Sequence, residues 1–376
     1  MLRQRSRRFS RQRRNVAQQA RTAALIVTEI KVKDYRNAAE RTVELAPERN
    51  AFVGANARGK TNLLEAVYFA GVGKSFRTPR DRELIKSGEA RAFISVTAVK
   101  DTGAETVRIV IDRETNKRVA INDLPISRMS ELMGVCPVVL FCPDGLKIVK
   151  DAPADRRRFM DISLCQVSKT YFAALMQYDK ILVSRNKLLK SGGANDNTLA
   201  PWDELIADVG AKIIKSRRGF IKSLMPVAAE FHAFLSDGRE SLALEYEGQN
   251  GETVDIIKAG LLEKISADRE VDLRLKYTHS GPHKDDLKIT VNGVDLRAYG
   301  SQGQQRTAAL AMKLAETRIL TEVLGTSPVL LLDDVFSELD GIRRNKLMAA
   351  TAGFQSIITA TDKADFDGFN VNIVEI

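Results

Sequence analysis

One short stretch of the chain has the residue types and the spacing of a phosphate-binding loop. Residues 54–61 read GANARGKT, which fits the pattern G-x-x-x-x-G-K-[ST] between a predicted strand and a predicted helix. The glycines let backbone amides surround phosphate oxygens, Lys60 neutralises phosphate charge, and the Thr61 hydroxyl can ligate Mg²⁺. The alternative, an ordinary glycine turn, is disfavoured by the flanking strand and helix. The sequence therefore predicts that ATP and Mg²⁺ bind here, on Gly54, Ala55, Asn56, Ala57, Arg58, Gly59, Lys60 and Thr61.

A pair of carboxylates follows an apolar strand much later in the chain. Residues 328–340 read PVLLLDDVFSELD, the arrangement called Walker B. A buried strand would fix Asp333, which can hold Mg²⁺, and would leave Asp334 to orient or deprotonate an attacking water. A strand that ends at a solvated turn looks the same, so the motif gains its meaning from the phosphate-binding loop. Together the two motifs predict ATP hydrolysis with Asp334, Asp333 and Lys60 as the catalytic residues.

A third motif, residues 300–307 with the sequence GSQGQQRT, passes from a polar run into an alanine-rich helical pattern. In ABC-type ATPases a Ser and a Gly at such a helix start, the signature motif, contact the γ-phosphate bound by the other subunit. Ser301, Gly303 and Gln304 fit that role, because the amides of a helix N-terminus favour an anion. The motif lies 32 residues before Asp333, enough for one helix and a turn. A plain N-cap is the alternative, and it accounts for Ser301 but not for the residues that follow.

The predicted elements that must hold these motifs fall into three groups. Strand patterns cover 24–35, 41–54, a meander over 93–122 and 136–143, with one helix at 61–72. Helical periodicity dominates 153–268, with a loop at 191–201 and a short strand at 242–246. Strand patterns return over 273–293, before the signature helix and the Walker B strand. This order predicts one α/β domain, residues 24–150 and 270–376, split by a mainly helical insertion at 151–269.

Composition excludes several classes of protein. The chain has 376 residues, of which 44% are hydrophobic and 28% charged, as in an ordinary soluble globular protein. No apolar run approaches the roughly 18 residues that a membrane-spanning helix needs. The three cysteines, Cys136, Cys142 and Cys165, have neither zinc nor disulfide spacing, which predicts reduced and mostly buried thiols. We therefore expect a cytoplasmic protein with no membrane partner.

The net charge of +10 suggests nucleic acid, but one segment carries most of it. Residues 1–22 contain eight arginines and no acidic residue, so the remaining 354 residues have a net charge of only +2. The segment lacks the apolar core of a signal peptide. We interpret residues 1–23 as a disordered basic tail or the product of an upstream start codon; a nucleic-acid-binding or targeting arm is the alternative.

Two groups of basic residues within the folded part are candidates for DNA contact. Arg156, Arg157 and Arg158 begin one predicted helix. On another helix Lys212, Lys215, Arg218 and Lys222 recur at steps of 3, 3 and 4, and Arg217 adds a fifth charge. A solvated helix face is the alternative. Because these stretches lack clustered aromatic residues, contact with duplex backbone is favoured over stacking on single-stranded bases.

Residues 280–286, SGPHKDD, bring a His, two carboxylates and a turn together. The stretch is either a hairpin held by local hydrogen bonds or a functional surface near the nucleotide or DNA. The sequence leaves both interpretations open.

Five motifs in this order, FVGANARGKTNLLEAVYF, LFCPDGLKIVKDAPADRRRFMD, SGPHKDDL, SQGQQRT and LLLDDVFSELD, resemble the RecF family of bacterial recombination mediators, relatives of SMC-family ATPases. The resemblance covers residues 25–376. It implies an ABC-type P-loop ATPase head, with a mixed sheet, helices and an antiparallel β subdomain. It also implies that Asn62 stands behind the nucleotide, that the signature motif reaches the second subunit's ATP, and that residues 337–340 form a D-loop at the dimer interface.

The resemblance further implies a function in DNA repair. ATP would close a homodimer over duplex DNA beside a single-strand gap, and hydrolysis would release it, which in the family promotes RecA loading with RecR and RecO. An ATP-hydrolysing subunit of an ABC transporter shares the three nucleotide motifs, but the helical insertion and the basic residues argue against it. A P-loop kinase of small substrates would have neither a signature helix nor an ATP-driven dimer.

The chain departs from the wider ABC pattern around the hydrolytic residues. Asp334 stands where a glutamate is usual, and its side chain is one methylene shorter. The usual switch histidine is absent from SIITATDKADF, where Thr359 or Thr361 takes its place, and no Q-loop glutamine follows VVLFCPD. These departures favour a weak, DNA-stimulated ATPase whose slow hydrolysis acts as a timer.

Overall fold

The computed structural model describes residues 23–143 and 147–376. The predicted disordered tail, residues 1–23, lies outside the described residues except for its last position. So do residues 144–146, directly after the strand where a Q-loop glutamine is missing.

An antiparallel sheet forms the first part of the fold. Its strands are β2 (Ile26–Tyr35), β3 (Ala38–Glu44), β5 (Arg91–Lys100), β6 (Gly103–Asp112), β7 (Arg118–Ile121) and β8 (Leu124–Pro125), in the order β3-β2-β5-β6-β7-β8. Residues of β5 alternate between buried and exposed, as expected for a sheet with one face on the core. The predicted meander is confirmed, with the β5–β6 turn at residues 101–102.

A five-stranded parallel sheet combines strands from both ends of the chain. They are β4 (Arg49–Val53), β9 (Val138–Phe141), β14 (Val329–Asp333), β15 (Ser356–Ala360) and β16 (Asn372–Glu375), in the order β16-β4-β15-β14-β9. Every residue of β9, β14 and β15 is buried, which explains their continuous apolar runs. Since the carboxyl ends of parallel strands share one edge, the segments after β4 and β14 come together there.

The helices are numbered along the chain. They are α1 (Lys60–Val72), α2 (Pro153–Val167), α3 (Lys169–Ser191), α4 (Asp196–Leu235), α5 (Val254–Ala267), α6 (Arg269–Leu275), α7 (Leu296–Tyr299), α8 (Gln302–Leu324) and α9 (Gly341–Ala350). Short 3₁₀ helices span Asp81–Leu84, Met129–Glu131, Lys147–Val149, Phe336–Glu338 and Lys363–Phe366. Helix α4 packs against α8, so the long helix of the middle segment lies directly on the signature helix.

Two small sheets join the middle segment to the rest. Strands β10 (Leu242–Glu247), β11 (Asp286–Val291) and β12 (Val294–Asp295) form an antiparallel sheet, and β1 (Ala23–Ala24) pairs in parallel with β13 (Thr326–Ser327). The pairing of β10 with β11 crosses the predicted boundary between residues 269 and 270. The α/β architecture with a parallel core sheet, an antiparallel β part and a long helical segment matches the predicted fold class.

Two local predictions are wrong. The loop predicted at 191–201 ends early, because Asn195 caps α4 in a capping box with Thr198 and the helix continues through Pro201. The strand pattern at 273–277 belongs instead to the end of α6, which stops where Lys276 adopts a left-handed φ of 61°. In both places a local capping interaction outweighed the residue pattern.

Candidate nucleotide-binding site

The loop of residues 54–61 connects β4 to α1 and has the backbone conformation of an anion cradle. Ala57 and Gly59 have positive φ values of 65° and 103°, and successive amides in such conformations point toward a common concavity. A Cβ at Gly54 would lie 2.4 Å from the Ile376 backbone oxygen, so this position requires glycine. Helix α1 begins without a side-chain cap, which leaves its N-terminal amides to an anion.

Lys60, the first residue of α1, folds back over the loop. Its ammonium group donates hydrogen bonds to the carbonyl oxygens of Gly54, at 2.5 Å, and Ala55, at 3.0 Å. The side chain is buried, so its charge is directed into the loop rather than into solvent. A phosphate bound in the loop would lie next to this charge.

The Walker B carboxylate Asp333 meets the loop at the carboxyl edge of the parallel sheet. The Thr61 hydroxyl donates a hydrogen bond of 2.8 Å to Asp333 Oδ1, and Asp333 is only 8% exposed. Burial raises the pKa of this carboxyl, while the hydrogen bonds from Thr61 and Thr359 oppose the rise. A bound cation would neutralise the buried Asp333 carboxylate and so favour its charged form.

These oxygens suit Mg²⁺ in chemistry and in number. A hydroxyl and a carboxylate oxygen are ligands that Mg²⁺ accepts, with water and phosphate oxygens completing its coordination. Within the described ranges no group of three or more His, Cys, Asp or Glu could form a metal cage. The site therefore fits a metal that arrives with a nucleotide better than one held by protein alone.

Asp334 leaves the sheet in a left-handed conformation with φ 51°. Its amide donates a hydrogen bond of 2.9 Å to the Thr359 hydroxyl, which donates a bond of 2.9 Å to Asp333. Thr359 thus ties both Walker B residues together from the end of β15, whereas Thr361 is exposed. Of the two threonines proposed to replace the switch histidine, the contacts favour Thr359. The Asp334 side chain is exposed, facing away from the core.

The signature residues form a capping box at the start of α8. The Ser301 hydroxyl accepts a bond of 3.2 Å from the Gln304 amide, and the Gln304 side-chain oxygen accepts one of 3.0 Å from the Ser301 amide. The N-cap interpretation is therefore correct for Ser301, and its hydroxyl can still donate to an anion. In the described chain, no hydrogen bond or ion pair joins these residues to the 54–61 loop.

Gly303 has no packing reason to be glycine within the described part of the chain. It lies in helix α8, and a Cβ there would contact Arg343 at 3.6 Å, an ordinary van der Waals distance. A glycine in a helix costs about 1 kcal/mol relative to alanine. Close approach of a ligand or a second subunit to this position would explain why it is glycine.

The signature helix is fastened to the segment predicted as the D-loop. Arg306 donates to the Glu338 carbonyl oxygen at 3.1 Å and also pairs with its carboxylate. Arg343 donates to the Thr307 hydroxyl at 3.2 Å. The two segments therefore form one unit, which the Ser337 hydroxyl joins to the Walker B residue Asp334 by a bond of 2.8 Å to its carbonyl oxygen.

A polar cluster beside the loop could not be predicted from the sequence. Arg77, after the end of α1, donates to the Asn62 side-chain oxygen at 2.8 Å and lies 3.7 Å from Glu65. Asn37 links Asn62 to the Ala57 carbonyl oxygen. The charge of Arg77 also acts to lower the pKa of Asp333, which places it near the Mg²⁺ candidate site. An isolated arginine after a helix has no distinctive spacing.

The first group of DNA-contact candidates ranges from buried to exposed: Arg156 is buried, Arg157 half-buried and Arg158 exposed. Arg156 is 2% exposed and forms two hydrogen bonds, of 2.6 and 2.8 Å, with Asp286. Arg157 donates to the Asp285 carbonyl oxygen at 2.7 Å and Arg158 to that of Ser75 at 3.3 Å. The prediction of a DNA contact is wrong for Arg156, because the side chain is buried and paired with Asp286. The pairing could not be foreseen, since Asp286 lies 130 residues away in sequence.

The second group divides by helix face. Arg217 is buried and binds Asp161 and the Pro282 carbonyl oxygen, so it does not belong to the outer face. Lys212, Lys215 and Lys222 are exposed, and Arg218 is partly exposed. Lys212 pairs with Asp208, and Arg218 binds Asn250. A basic face exists, although local contacts already neutralise part of it.

The SGPHKDD stretch is a turn whose hydrogen bonds are mostly made to other parts of the chain. His283 lies between the Tyr178 hydroxyl, 2.7 Å from Nδ1, and the Thr278 carbonyl oxygen, 3.0 Å from Nε2. Burial lowers the pKa of His283 to about 4. Ser280 binds Asp268, and Asp285 binds Tyr246. These contacts tie the turn to α3 and β10, so it differs from the predicted hairpin, whose hydrogen bonds would be local.

Other sequence-level expectations concern thiols and membranes. All three cysteines are buried, and burial raises the pKa of Cys136 and Cys165 to about 12. Among the described residues, no helix combines the length and apolar character needed to cross a bilayer.

Comparison with known proteins identifies a family. Residues 26–374 match the RecF/RecN/SMC N terminal domain. A DNA replication and repair protein RecF from Lachnoclostridium phytofermentans is 41% identical over 345 residues, which cover 91% of this chain and 94% of that protein. The RecF of Halothermothrix orenii is 42% identical over 362 residues, or 94% and 96% of the two chains.

Solved structures give the same result. A structure of the recombination mediator protein RecF-ATPrS in the RecFOR pathway superposes with a TM-score of 0.88 at 35% identity, covering 94% of this chain and 97% of that one. An Smc head domain from Pyrococcus furiosus is 16% identical with a TM-score of 0.54, covers 91% of each chain, and shares the fold.

Proposed function

The chain belongs to the RecF family, within the RecF/RecN/SMC group, and from that premise we propose that it is an ATP-gated DNA clamp for recombinational repair and replication restart at single-strand gaps. ATP closes a homodimer on duplex DNA next to single-stranded DNA, and slow hydrolysis opens it again. Through RecR and RecO, the clamp promotes RecA loading in the cytoplasm.

The observation that carries the proposal is the separation of the nucleotide motifs. The P-loop and Walker B residues form one hydrogen-bonded cluster, while Ser301 and Gly303 lie apart from it, exposed or half-exposed. A second subunit is needed to bring a signature motif to a nucleotide. Two apolar side chains beside the signature and D-loop segments support such an interface: Tyr299 is 79% exposed and Ile342 68% exposed.

The residues of the P-loop and Walker B cluster take distinct roles in ATP binding and hydrolysis. The loop 54–61 holds the phosphates with its amides and the Lys60 charge. Thr61 and Asp333 hold Mg²⁺, which when bound neutralises phosphate charge as the γ-phosphoryl group transfers to water. Asp334 orients that water and accepts its proton. Thr359 holds the Asp333 carboxylate and the backbone amide of Asp334 in place.

We propose that two parts of the chain share this function. We assign residues 24–150 and 270–376 to the ATPase unit and residues 151–269 to a helical insertion. The exposed Lys212, Lys215 and Lys222 of α4 supply a surface for duplex phosphates. Arg156 and Arg217 join the insertion to the second part of the ATPase unit, through Asp286 and the Pro282 carbonyl oxygen.

The test is ATP-dependent association of the full chain with gapped, blunt and single-stranded DNA at two salt concentrations. Asp334→Asn should accumulate the closed dimer with ATP, seen by gel filtration, and retain gapped duplex. Lys60→Ala should bind DNA without an ATP effect. The proposal fails if Asp334→Asn stays monomeric with saturating ATP, or if Lys60→Ala retains gapped duplex as the wild type does. A stronger retention at low salt is expected for phosphate contacts.

A further inference from the structure

The turn that follows α4, residues 236–241, contacts the start of the signature helix α8 and the helix α9 that follows the predicted D-loop. Glu240, in this turn, accepts a hydrogen bond of 2.9 Å from the Gln304 side-chain nitrogen. Asp237, two residues after the end of α4, and the carbonyl oxygen of Leu235, its last residue, accept bonds from Lys346 of α9, at 2.7 and 3.0 Å. The end of the long helix therefore holds the helix after the signature and the helix after the D-loop.

The Gln304 amide has only one chemically sensible orientation. Its oxygen accepts from the Ser301 amide, which can only donate, and its nitrogen faces the Glu240 carboxylate, which as an anion can only accept. Glu240 thereby fixes the side chain that completes the capping box around Ser301. The hydrogen bond carries a full charge on one partner, which makes it stronger than a neutral one.

The surroundings of Glu240 hold its carboxylate in this position. Its side chain is 23% exposed, and its second oxygen lies 3.7 Å from Nε2 of His232, which is fully buried. The turn is anchored on its other side by Lys346. The carboxylate is thus presented by a fixed segment rather than by a free surface side chain.

We propose that Glu240 is a positioning residue for the signature motif, acting through Gln304 on Ser301. This inference rests on the proposed function, since it assumes that Ser301 contacts ATP held by the other subunit. Glu240 does not touch nucleotide itself. It sets the orientation in which the signature hydroxyl and amides meet the partner's phosphate.

Three variants separate this role from general stability. Glu240→Ala removes the acceptor and should weaken ATP-dependent dimerisation about tenfold, the usual effect of losing a hydrogen bond to a charged group. Glu240→Gln can still accept from Gln304 and should recover most of that loss. Arg239→Ala, at the neighbouring exposed position, should dimerise as the wild type does. ATP affinity of the monomer should be unchanged in all three, because the P-loop is intact.

Mixing experiments test whether the effect is exerted on the other subunit's site. Glu240→Ala mixed with Lys60→Ala should restore one composite site, from the intact P-loop of the first and the intact signature of the second, and thus ATP-dependent dimers. Glu240→Ala mixed with Ser301→Arg should not, because both signatures are impaired. Ser301→Arg mixed with Lys60→Ala is the reference pair for a composite site.

The outcomes are distinguishable. If the reference pair restores dimers but Glu240→Ala dimerises like the wild type alone, the role of Glu240 is disproved and the clamp remains. If Glu240→Ala is not rescued by Lys60→Ala, the defect lies in its own subunit and the inference is equally disproved. If the reference pair itself fails, the composite site is wrong, and the proposed function falls with it.

Discussion

Thr61 and Asp333, 272 residues apart in the chain, are joined by a hydrogen bond of 2.8 Å from the Thr61 hydroxyl to the Asp333 carboxylate. The contact links the first turn of α1 to the last residue of β14. Thr359 adds a second hydroxyl to the same carboxylate oxygen. The two nucleotide motifs therefore form one polar cluster within a single subunit, and its hydroxyl groups can be removed one at a time.

Removing the Thr61 hydroxyl should weaken the Mg²⁺ dependence of nucleotide binding. Thr61→Ala and Asp333→Asn each delete one proposed oxygen ligand, so Mg²⁺ should strengthen ATP binding at least ~10-fold less than in the wild type. Titration with a fluorescent ATP analogue, with and without Mg²⁺, measures this. Affinity without Mg²⁺ should change little. Equal Mg²⁺ effects in wild type and variants would exclude these oxygens as ligands.

Thr359→Val should slow hydrolysis without weakening ATP binding. Valine keeps the volume of threonine but removes the bond to Asp333 and the acceptor for the Asp334 amide. The loss of one hydrogen bond at the Asp333 carboxylate and one at the Asp334 backbone predicts a fall of roughly tenfold or more in single-turnover hydrolysis. Thr361→Val, at an exposed position in the same segment, is the matched control. The assignment of Thr359 is wrong if both variants hydrolyse ATP equally fast.

Ser301→Arg should bind ATP normally and fail to dimerise. Its own P-loop is intact, while the arginine side chain fills the position where the partner's nucleotide would approach. Loss of the N-cap also costs about 1 kcal/mol of folding stability, a small effect that thermal unfolding will show. Ser301→Thr keeps both the cap and the hydroxyl and should dimerise. Sedimentation with ATP measures the outcome, and a Ser301→Arg dimer of wild-type affinity would contradict the signature assignment.

The P-loop and Walker B could be predicted from sequence because their information is local. GANARGKT carries its own backbone requirements, and the apolar run before Asp333 marks a strand buried on both faces. Their meeting followed from sheet topology, since the carboxyl ends of parallel strands share one edge. The signature motif was recognisable as a helix start for the same local reason.

Long-range pairing is what the sequence could not provide. Arg156 lies in a run of three arginines that is typical of a DNA contact, and only the fold shows that Asp286 neutralises its charge. Arg217 lies among basic residues in sequence, yet helical rotation turns it inward toward Asp161. Nothing in the sequence distinguishes Glu240 from other acidic residues in turns. Its contact with Gln304 arises only because α4 packs against α8. Charge and spacing describe a helix face, but the partner that faces it depends on tertiary packing.

The folding stability of the protein should fall on acidification below pH 6.5, in part because of His283. Burial lowers the pKa of His283 to about 4 in the folded state, against about 6.5 when unfolded. Between these values the unfolded chain binds the extra proton, so stability is full above pH 6.5 and is lost as pH falls toward 4. The shift corresponds to roughly 3 kcal/mol over that range. Urea unfolding at pH 7.5 and pH 5 measures it.

His283→Gln isolates this contribution from those of other titrating groups. Glutamine cannot gain a proton in this range, and it can still donate toward the Thr278 carbonyl oxygen that His283 Nε2 contacts at 3.0 Å. The variant should be less stable than the wild type at pH 7.5, and its loss of stability between pH 7.5 and pH 5 should be smaller. His232, whose pKa burial also lowers, keeps part of the dependence in both proteins. Parallel pH profiles for wild type and His283→Gln would show that His283 is protonated equally in the folded and unfolded states.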